Sequence, residues 1–323
     1  MQRNSKKNPY DVVQCLKQIH RQTPHYYQND GHSGKIKPEQ IIHVKIISMN
    51  KTLEELFNLR NEIETEYGPI KVVDIATTFE NEDATPILLS CGWSETLESI
   101  KETIFYIAET SGRRVIAVDY TALTYGHPTA SGLPRSAQAK AVAFLTLFKK
   151  KDIPIIDAIA HSEGAINIIA AAEMSPVSFR KITLIAPAGM MTEDDFFHLA
   201  VRFLKNLFYT IQHKKRGIYS INPVNYTKRI LLYFLANPVQ TFTEAFGIAR
   251  FSMIPLVKRL QDNGKNVEII LSSRDTVFPC KNVDQIIHKY NINNVSIIEG
   301  GHNEFHENPA LFTQSFFVHK FIS

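Results

Sequence analysis

The sequence predicts a mostly parallel α/β sheet with helices on both faces and a helical cap inserted late in the chain. Three observations predict it. From residue 41 onward, strand-like and helix-like segments alternate. The strand-like segments are short, nearly continuous apolar runs bounded by turns, as expected of strands covered on both faces. Between about residues 189 and 260 the alternation gives way to helical periodicity alone.

Residues 1–40 are polar and broken by Pro24, Gly31, Gly34 and Pro38. They read as an N-terminal extension with at most one short helix, near residues 11–20. Residues 41–47 (IIHVKII) read as a strand. Residues 51–67 place Leu53, Leu56, Phe57 and Ile63 at helical spacing and stop at Gly68-Pro69, which predicts a helix. Residues 71–79 alternate and predict the second strand. Six apolar runs follow: 86–89 (PILL), 114–118 (RVIAV), 155–160 (IIDAIA), 182–186 (ITLIA), 267–271 (VEIIL) and 295–298 (VSII). Helical patterns fill the intervals at 96–110, 134–150, 162–174, 281–290 and 308–321. The predicted organisation is therefore an extension (1–40), a core (41–188 and 261–323) and a cap (189–260).

The 323 residues, 44% hydrophobic and 21% charged, suffice for one large core. A net charge of +4, without interleaved basic and aromatic residues, argues against a nucleic-acid partner. Cys15, Cys91 and Cys280 make no disulfide framework and read as reduced thiols. The start MQRNSKKNPYDVVQ lacks the apolar stretch of a secretory signal, and no run of eighteen apolar residues occurs. A cytoplasmic protein without a transmembrane segment is the expectation.

The chemistry concentrates where the IIDAIA run meets the next helix, at Ala160-His161-Ser162-Glu163-Gly164-Ala165. A serine on a sharp strand-to-helix turn is pushed out above the sheet edge, and small neighbours two positions either side let the turn close. The helix start behind it favours developing negative charge. Such a serine needs a base, and the base an orienting acid. Asp275 follows the VEIIL strand and His302 follows the VSII strand, both in loops at strand carboxyl ends. The order Ser162, Asp275, His302 is the one this architecture requires. Ser90-Cys91-Gly92-Trp93-Ser94, after the PILL strand, is positioned to supply an oxyanion donor. The Trp93 and Glu163 N–H groups are the expected pair, with Gly92 and His161 as the expected substrate-contacting positions.

On SCGWS, VIAVDY (with Asp119), AHSEGA, ITLIAPAGM, SSRDTVFP and EGGHNEF, residues 70–323 resemble the α/β-hydrolase superfamily. The resemblance implies acyl transfer through a serine ester, without metal or organic cofactor, and a helical cap at 189–260. Ala160 stands where the elbow motif has its first glycine, and Cys91 where many members carry histidine. A serine at the elbow also disfavours the dehalogenase and epoxide-opening branches, which use a carboxylate there.

Two other signals compete. His302, Glu304 and His306 (HNEFH) suggest a metal, but the zinc-protease spacing is H-E-x-x-H, so no metal is expected. Glu193, Asp194 and Asp195 offer an alternative acid, or cap the first cap helix. That helix, about 194–215, has a dense apolar face ending in His213, Lys214, Lys215 and Arg216. It reads as a cap over an apolar pocket, with contact to a membrane surface as the second reading. The function expected is a serine hydrolase of carboxylic esters or related acyl bonds, acting on an apolar or lipid-like small molecule. An acyltransferase with the same triad and a non-catalytic ligand receptor on this fold stay open. Oligomeric state is not legible.

Overall fold

The computed structural model describes residues 53–76, 85–125, 132–191, 196–212 and 223–312. The expected strand at 41–47, the N-terminal extension with Cys15, the acids 193–195, the basic stretch 213–216 and the end of the last helix lie outside the described residues.

Eight strands form one sheet in the order β1-β2-β4-β3-β5-β6-β7-β8. β1 (Asn61–Thr65) and β2 (Gly68–Ile75) make an antiparallel hairpin, and β2 runs antiparallel to β4 (Val115–Asp119). β3 (Ile87–Ser90), β4, β5 (Ile156–His161), β6 (Phe179–Ile185), β7 (Asn266–Ser272) and β8 (Val295–Ile298) are parallel. Cross-strand pairing sets His161 opposite Ile185, Ile185 opposite Ile270, and Ser272 opposite Ile298. The carboxyl ends of β5 to β8 therefore align along one edge of the sheet.

The period-2 alternation of a strand sends neighbours to opposite faces. Leu88, Ile116 and Val118 enter one buried cluster, while Ile87, Leu89, Val115 and Ala117 enter the other. The helices Arg135–Lys150, Glu163–Met174 and Ile254–Asp262 cover the first face. The helix Lys101–Ser111 and the short helical segments bearing Phe57, Phe305 and Phe312 cover the second. Apolar runs with no polar side work here because both faces of the central strands β3, β4 and β5 are dry.

One expectation is corrected. Residues 53–58 are helical, with Leu53 and Phe57 buried, but the helix stops there. Ile63 instead points inward from β1, whose neighbours are exposed, and Glu66-Tyr67 turn the chain into β2. The second strand ends at Ile75 rather than at 79. The sheet is mostly parallel because this hairpin is added at its edge.

Among the described residues between β6 and β7 are four helices: Phe196–Gln212, Pro223–Ala236, Pro238–Arg250 and Ile254–Asp262. The excursion is pinned where it returns, by the Met253 N–H donating to Gly189 C=O at 2.8 Å. Among the described residues, no helix is long and apolar enough to cross a membrane.

Candidate active site

β5 ends at His161 and a helix starts at Glu163, so Ser162 must turn the chain within one residue. It does so at φ 53° and ψ −121°, a conformation that costs a non-glycine residue about 1–3 kcal/mol. Hydrogen bonds hold the turn. The Ser162 N–H donates to Ile185 C=O at 3.0 Å, and the Ser162 C=O accepts from Ala165 (3.1 Å) and Ala188 (3.0 Å). Gly164 is required by close approach: a Cβ there would lie 2.4 Å from the Ser90 carbonyl oxygen and 2.6 Å from that of Cys91. Ala160, in place of the elbow's usual first glycine, is fully buried.

Ser162, His302 and Asp275 follow β5, β8 and β7 and meet beyond the aligned strand ends. The loops bearing Asp275 and His302 are stitched together by the Arg274 N–H donating to Gly300 C=O at 2.8 Å. Asp275 Oδ1 accepts the N–H groups of Val277 (2.7 Å) and Phe278 (2.9 Å), which fixes the carboxylate. Its Oδ2 faces His302 Nδ1 at 2.8 Å, and His302 Nε2 faces Ser162 Oγ at 3.0 Å. Since a carboxylate accepts, Nδ1 carries the ring proton and Nε2 is free to accept from the hydroxyl. All three side chains are buried to within a few per cent of their surface.

The other expected residues gather at the same point. A Cβ on Gly92 would come 3.1 Å from Ser162 Cβ, so the loop after β3 passes directly beside the serine. Glu163 opens its helix, where a backbone N–H has no intrahelical acceptor. Gly92 and His161 take part in a hydrogen-bonded network behind the serine, and His161 also lines the cavity beside it. The Gly92 N–H donates to the Glu95 carboxylate. His161 donates from Nε2 to the His302 carbonyl at 2.9 Å, and its Nδ1 lies 3.2 Å from Glu95 Oε1. His306 Nε2 reaches the same oxygen at 3.1 Å, and its Nδ1 meets Thr103 Oγ1 at 3.0 Å.

Burial alone would raise the Glu95 carboxyl, but His306 and His161 bring it well below 4.5. Burial would lower His161, and Glu95 more than reverses this, raising it above 6.5, while burial lowers His306. The consistent reading is an imidazolium at His161 paired with a carboxylate at Glu95, and a neutral His306. Glu95, His161 and His306 each offer one ligand-type atom within 4.8 Å of the others, yet those atoms already pair among themselves. His302 and Glu304, the other members of the HNEFH string, are not in this group.

A second buried cluster grips the elbow from the opposite side. Lys140 Nζ donates to Glu163 Oε1 (2.8 Å) and Oε2 (3.0 Å) and pairs with Glu244 Oε1 at 2.8 Å. Glu244 comes from the helix Pro238–Arg250 and also accepts from the hydroxyls of Tyr125 and Tyr233. One ammonium thus serves two carboxylates. Burial, with the Glu244 charge adding to it, pushes Glu163 up to about 7 against the pull of Lys140.

Sequence reading missed Glu95, Lys140 and Glu244, and pointed to His306 only through the HNEFH string. A signal existed for Lys140, which interrupts the buried face Ala137, Ala141, Phe144 with a charge. Glu95 carried none, because its partners are distant in the chain.

A narrow cavity opens beside Ser162 and His302, with Trp93, Leu199, Phe203, Ile248, Val277 and Phe278 as its apolar walls. Trp93 packs against Phe203 and Phe234 at centroid distances of 4.8 and 5.0 Å. Glu95, His161 and Asn303 complete the lining, so hydrocarbon on one side of the cavity faces polar groups on the other.

No family model and no curated protein matches the chain. Solved structures do. A putative lipase from Acinetobacter baumannii AYE aligns over 84% of this chain and 95% of its own, at 15% identity and TM-score 0.60. A membrane phospholipase A described as a bacterial virulence factor aligns over 96% and 97%, at 12% identity and TM-score 0.59. A thermophilic esterase from Thermogutta terrifontis aligns over 80% and 96%, at 17% identity and TM-score 0.57. At such identities the likeness establishes the fold, and this chain has the α/β-hydrolase fold.

Two outcomes follow from the packing and charge at the site. Gly164→Ala should lose roughly 2–3 kcal/mol of stability, because its methyl meets two backbone carbonyls that cannot swing aside; urea denaturation measures it, and an unchanged midpoint contradicts the packing. Glu95→Gln should cost about 3 kcal/mol near neutral pH, the scale of breaking a buried pair, with a dependence on pH whose sign is fixed. A lowered Glu95 stabilises above its ordinary 4.5 and loses that as pH falls through its folded value. A raised His161 stabilises below its ordinary 6.5 and loses that as pH rises through its folded value. The gap between wild type and variant should thus be widest between pH 4.5 and 6.5, and a gap flat with pH in denaturation series contradicts the ion pair.

Proposed function

We propose that this chain is a serine hydrolase that cleaves carboxylic esters of apolar, lipid-like small molecules through an acyl-enzyme on Ser162. The observation that carries the proposal is the position of His302, 3.0 Å from Ser162 Oγ and 2.8 Å from Asp275 Oδ2. In the proposed reaction His302 Nε2 takes the hydroxyl proton as Oγ attacks the substrate carbonyl. Asp275, held by two backbone amides, keeps the ring in the accepting tautomer and stabilises the imidazolium that forms. The negative oxygen of the tetrahedral intermediate is received by the Trp93 and Glu163 N–H groups. The imidazolium then protonates the leaving alcohol. Water, deprotonated by His302, releases the acid and restores Ser162.

The buried clusters have a supporting role in this scheme. Glu95 fixes the Gly92 amide, and therefore the loop that carries the Trp93 donor. Lys140 fixes the Glu163 side chain, and with it the helix start that carries the second donor. The aromatic and aliphatic side chains on the cavity wall (Trp93, Leu199, Phe203, Ile248, Val277 and Phe278) support an apolar acyl or alcohol group, as do structural neighbours described as lipase, phospholipase and esterase. Residues 189–260 would act as a cap, because Leu199, Phe203 and Ile248 of this segment form part of the cavity wall.

Hydrolysis of p-nitrophenyl esters of graded acyl length tests the proposal. Ser162→Ala should lower kcat/KM by about 10³-fold or more and Asp275→Asn by roughly 10²- to 10⁴-fold, with melting temperatures close to wild type. Turnover that survives Ser162→Ala in a folded protein removes the assignment.

A further inference from the structure

The outer faces of three helices carry large apolar side chains that are exposed. On Phe196–Gln212, Phe197, Val201, Leu204 and Phe208 recur at helical spacing on one exposed face, while Leu199 and Asn206 are buried on the other. On Pro238–Arg250, Val239, Phe242 and Phe246 are exposed opposite buried Thr241, Ala245 and Ile248. On Pro223–Ala236, Leu231, Leu232 and Leu235 are exposed, Leu235 to 80%. The first and second of these faces adjoin: the ring of Phe196 contacts Phe197 at 5.8 Å, Phe246 at 4.7 Å and Phe242 at 6.1 Å between centroids, and the helix Pro223–Ala236 packs against both of their helices. Scattered surface apolar residues need no explanation, but a contiguous set of this kind marks an interaction surface.

Charge decides the partner. These helices contain Arg202, Lys205, Lys228, Arg229 and Arg250 but a single carboxylate, Glu244, which is 1% exposed and engaged by Lys140. Lys205, Lys228 and Arg250 are exposed. Among the described residues of these helices, the outer faces therefore present hydrocarbon and positive charge, with no exposed acid. A second copy docking on this face through a two-fold axis would set like charges together. Residues 1–52 hold nine Lys and Arg against three Asp and Glu, so they bring the same sign. An anionic lipid surface supplies both what the hydrocarbon needs and what the cations need.

We infer that the outer face of the helices Phe196–Gln212, Pro223–Ala236 and Pro238–Arg250 docks the protein on anionic membrane surfaces. The first of these helices turns Leu199 and Phe203 inward to the cavity and Phe197 and Leu204 outward. Docking sets the cavity wall one helix thickness from the lipid. That such docking delivers substrate rests on the proposed hydrolase reading; docking itself does not.

Co-sedimentation of the full-length Ser162→Ala protein with phosphatidylcholine vesicles, with and without phosphatidylglycerol, tests the inference. Binding should be roughly tenfold or more tighter with phosphatidylglycerol and weaken with added salt. Leu204→Ser with Leu235→Ser should abolish binding, and Lys205→Glu with Lys228→Glu should remove the preference for anionic vesicles. The same double substitutions in a Ser162 background should leave the melting temperature and short-ester turnover at wild-type values, so a folding defect is distinguished from lost docking. Absent or headgroup-independent vesicle binding overturns the inference while leaving the hydrolase reading intact. A dimer in light scattering that Leu204→Ser and Leu235→Ser dissociate, without change in vesicle binding, assigns the face to a second copy and overturns it too. Vesicle binding by a protein with no esterase activity keeps the docking and removes the hydrolase.

Discussion

The whole arrangement hangs on one strained residue. Ser162 sits at φ 53° because β5 and the helix Glu163–Met174 leave a single residue for the turn. No side chain favours that conformation, so neighbouring structure has to enforce it. β6 contributes a carbonyl and Ala188 an amide. β3 approaches so closely that only glycine fits at 164. The strain puts Oγ above the sheet edge, and the aligned ends of β7 and β8 let two short loops bring Asp275 and His302 to it.

Two buried charge clusters fix what the sheet alone leaves loose. One ties Glu95, His161 and His306 to the loop after β3 and to the His302 carbonyl; the other ties Lys140, Glu163 and Glu244 across the elbow helix to the helix Pro238–Arg250. Burying ions is costly, and a hydrophobic replacement of similar shape would serve stability as well or better. What such clusters offer is direction: each carboxylate oxygen has a specified donor, so the backbone segments that carry the proposed oxyanion donors are held in register with the serine. The cluster at Lys140 also joins the helical excursion to the residue after the serine, which links the wall of the cavity to its chemistry.

Much of this was legible in the sequence. Central parallel strands buried on both faces must be apolar throughout, so β3 to β5 stand out as runs, and β7 and the edge strand β8 are also found within a residue or two of their bounds, apart from the longer β6. The order Ser162, Asp275, His302 followed from the loops at strand ends. The hairpin β1–β2 was not legible, because Leu53, Leu56 and Phe57 start a helical pattern that Ile63 happens to continue, and Glu66-Tyr67 is no recognisable hairpin turn. Nor were the charge clusters. His161 and His306 are 145 residues apart, and Lys140 and Glu163 are 23 apart; such pairings arise only from the three-dimensional fold. HNEFH was weighed as a metal motif, whereas the fold directs His302 to Ser162 and His306 to Glu95, onto different networks.

The central claim is that Ser162 is activated by His302 and Asp275. Reaction of the folded protein with a fluorophosphonate probe, followed by intact-mass and peptide analysis, tests it most directly. The account predicts a single adduct on the peptide containing Ser162, absent from Ser162→Ala and strongly slowed in Asp275→Asn. A folded wild-type protein that stays unlabelled by probes of short and long chain alike, or one labelled on another serine, would contradict it.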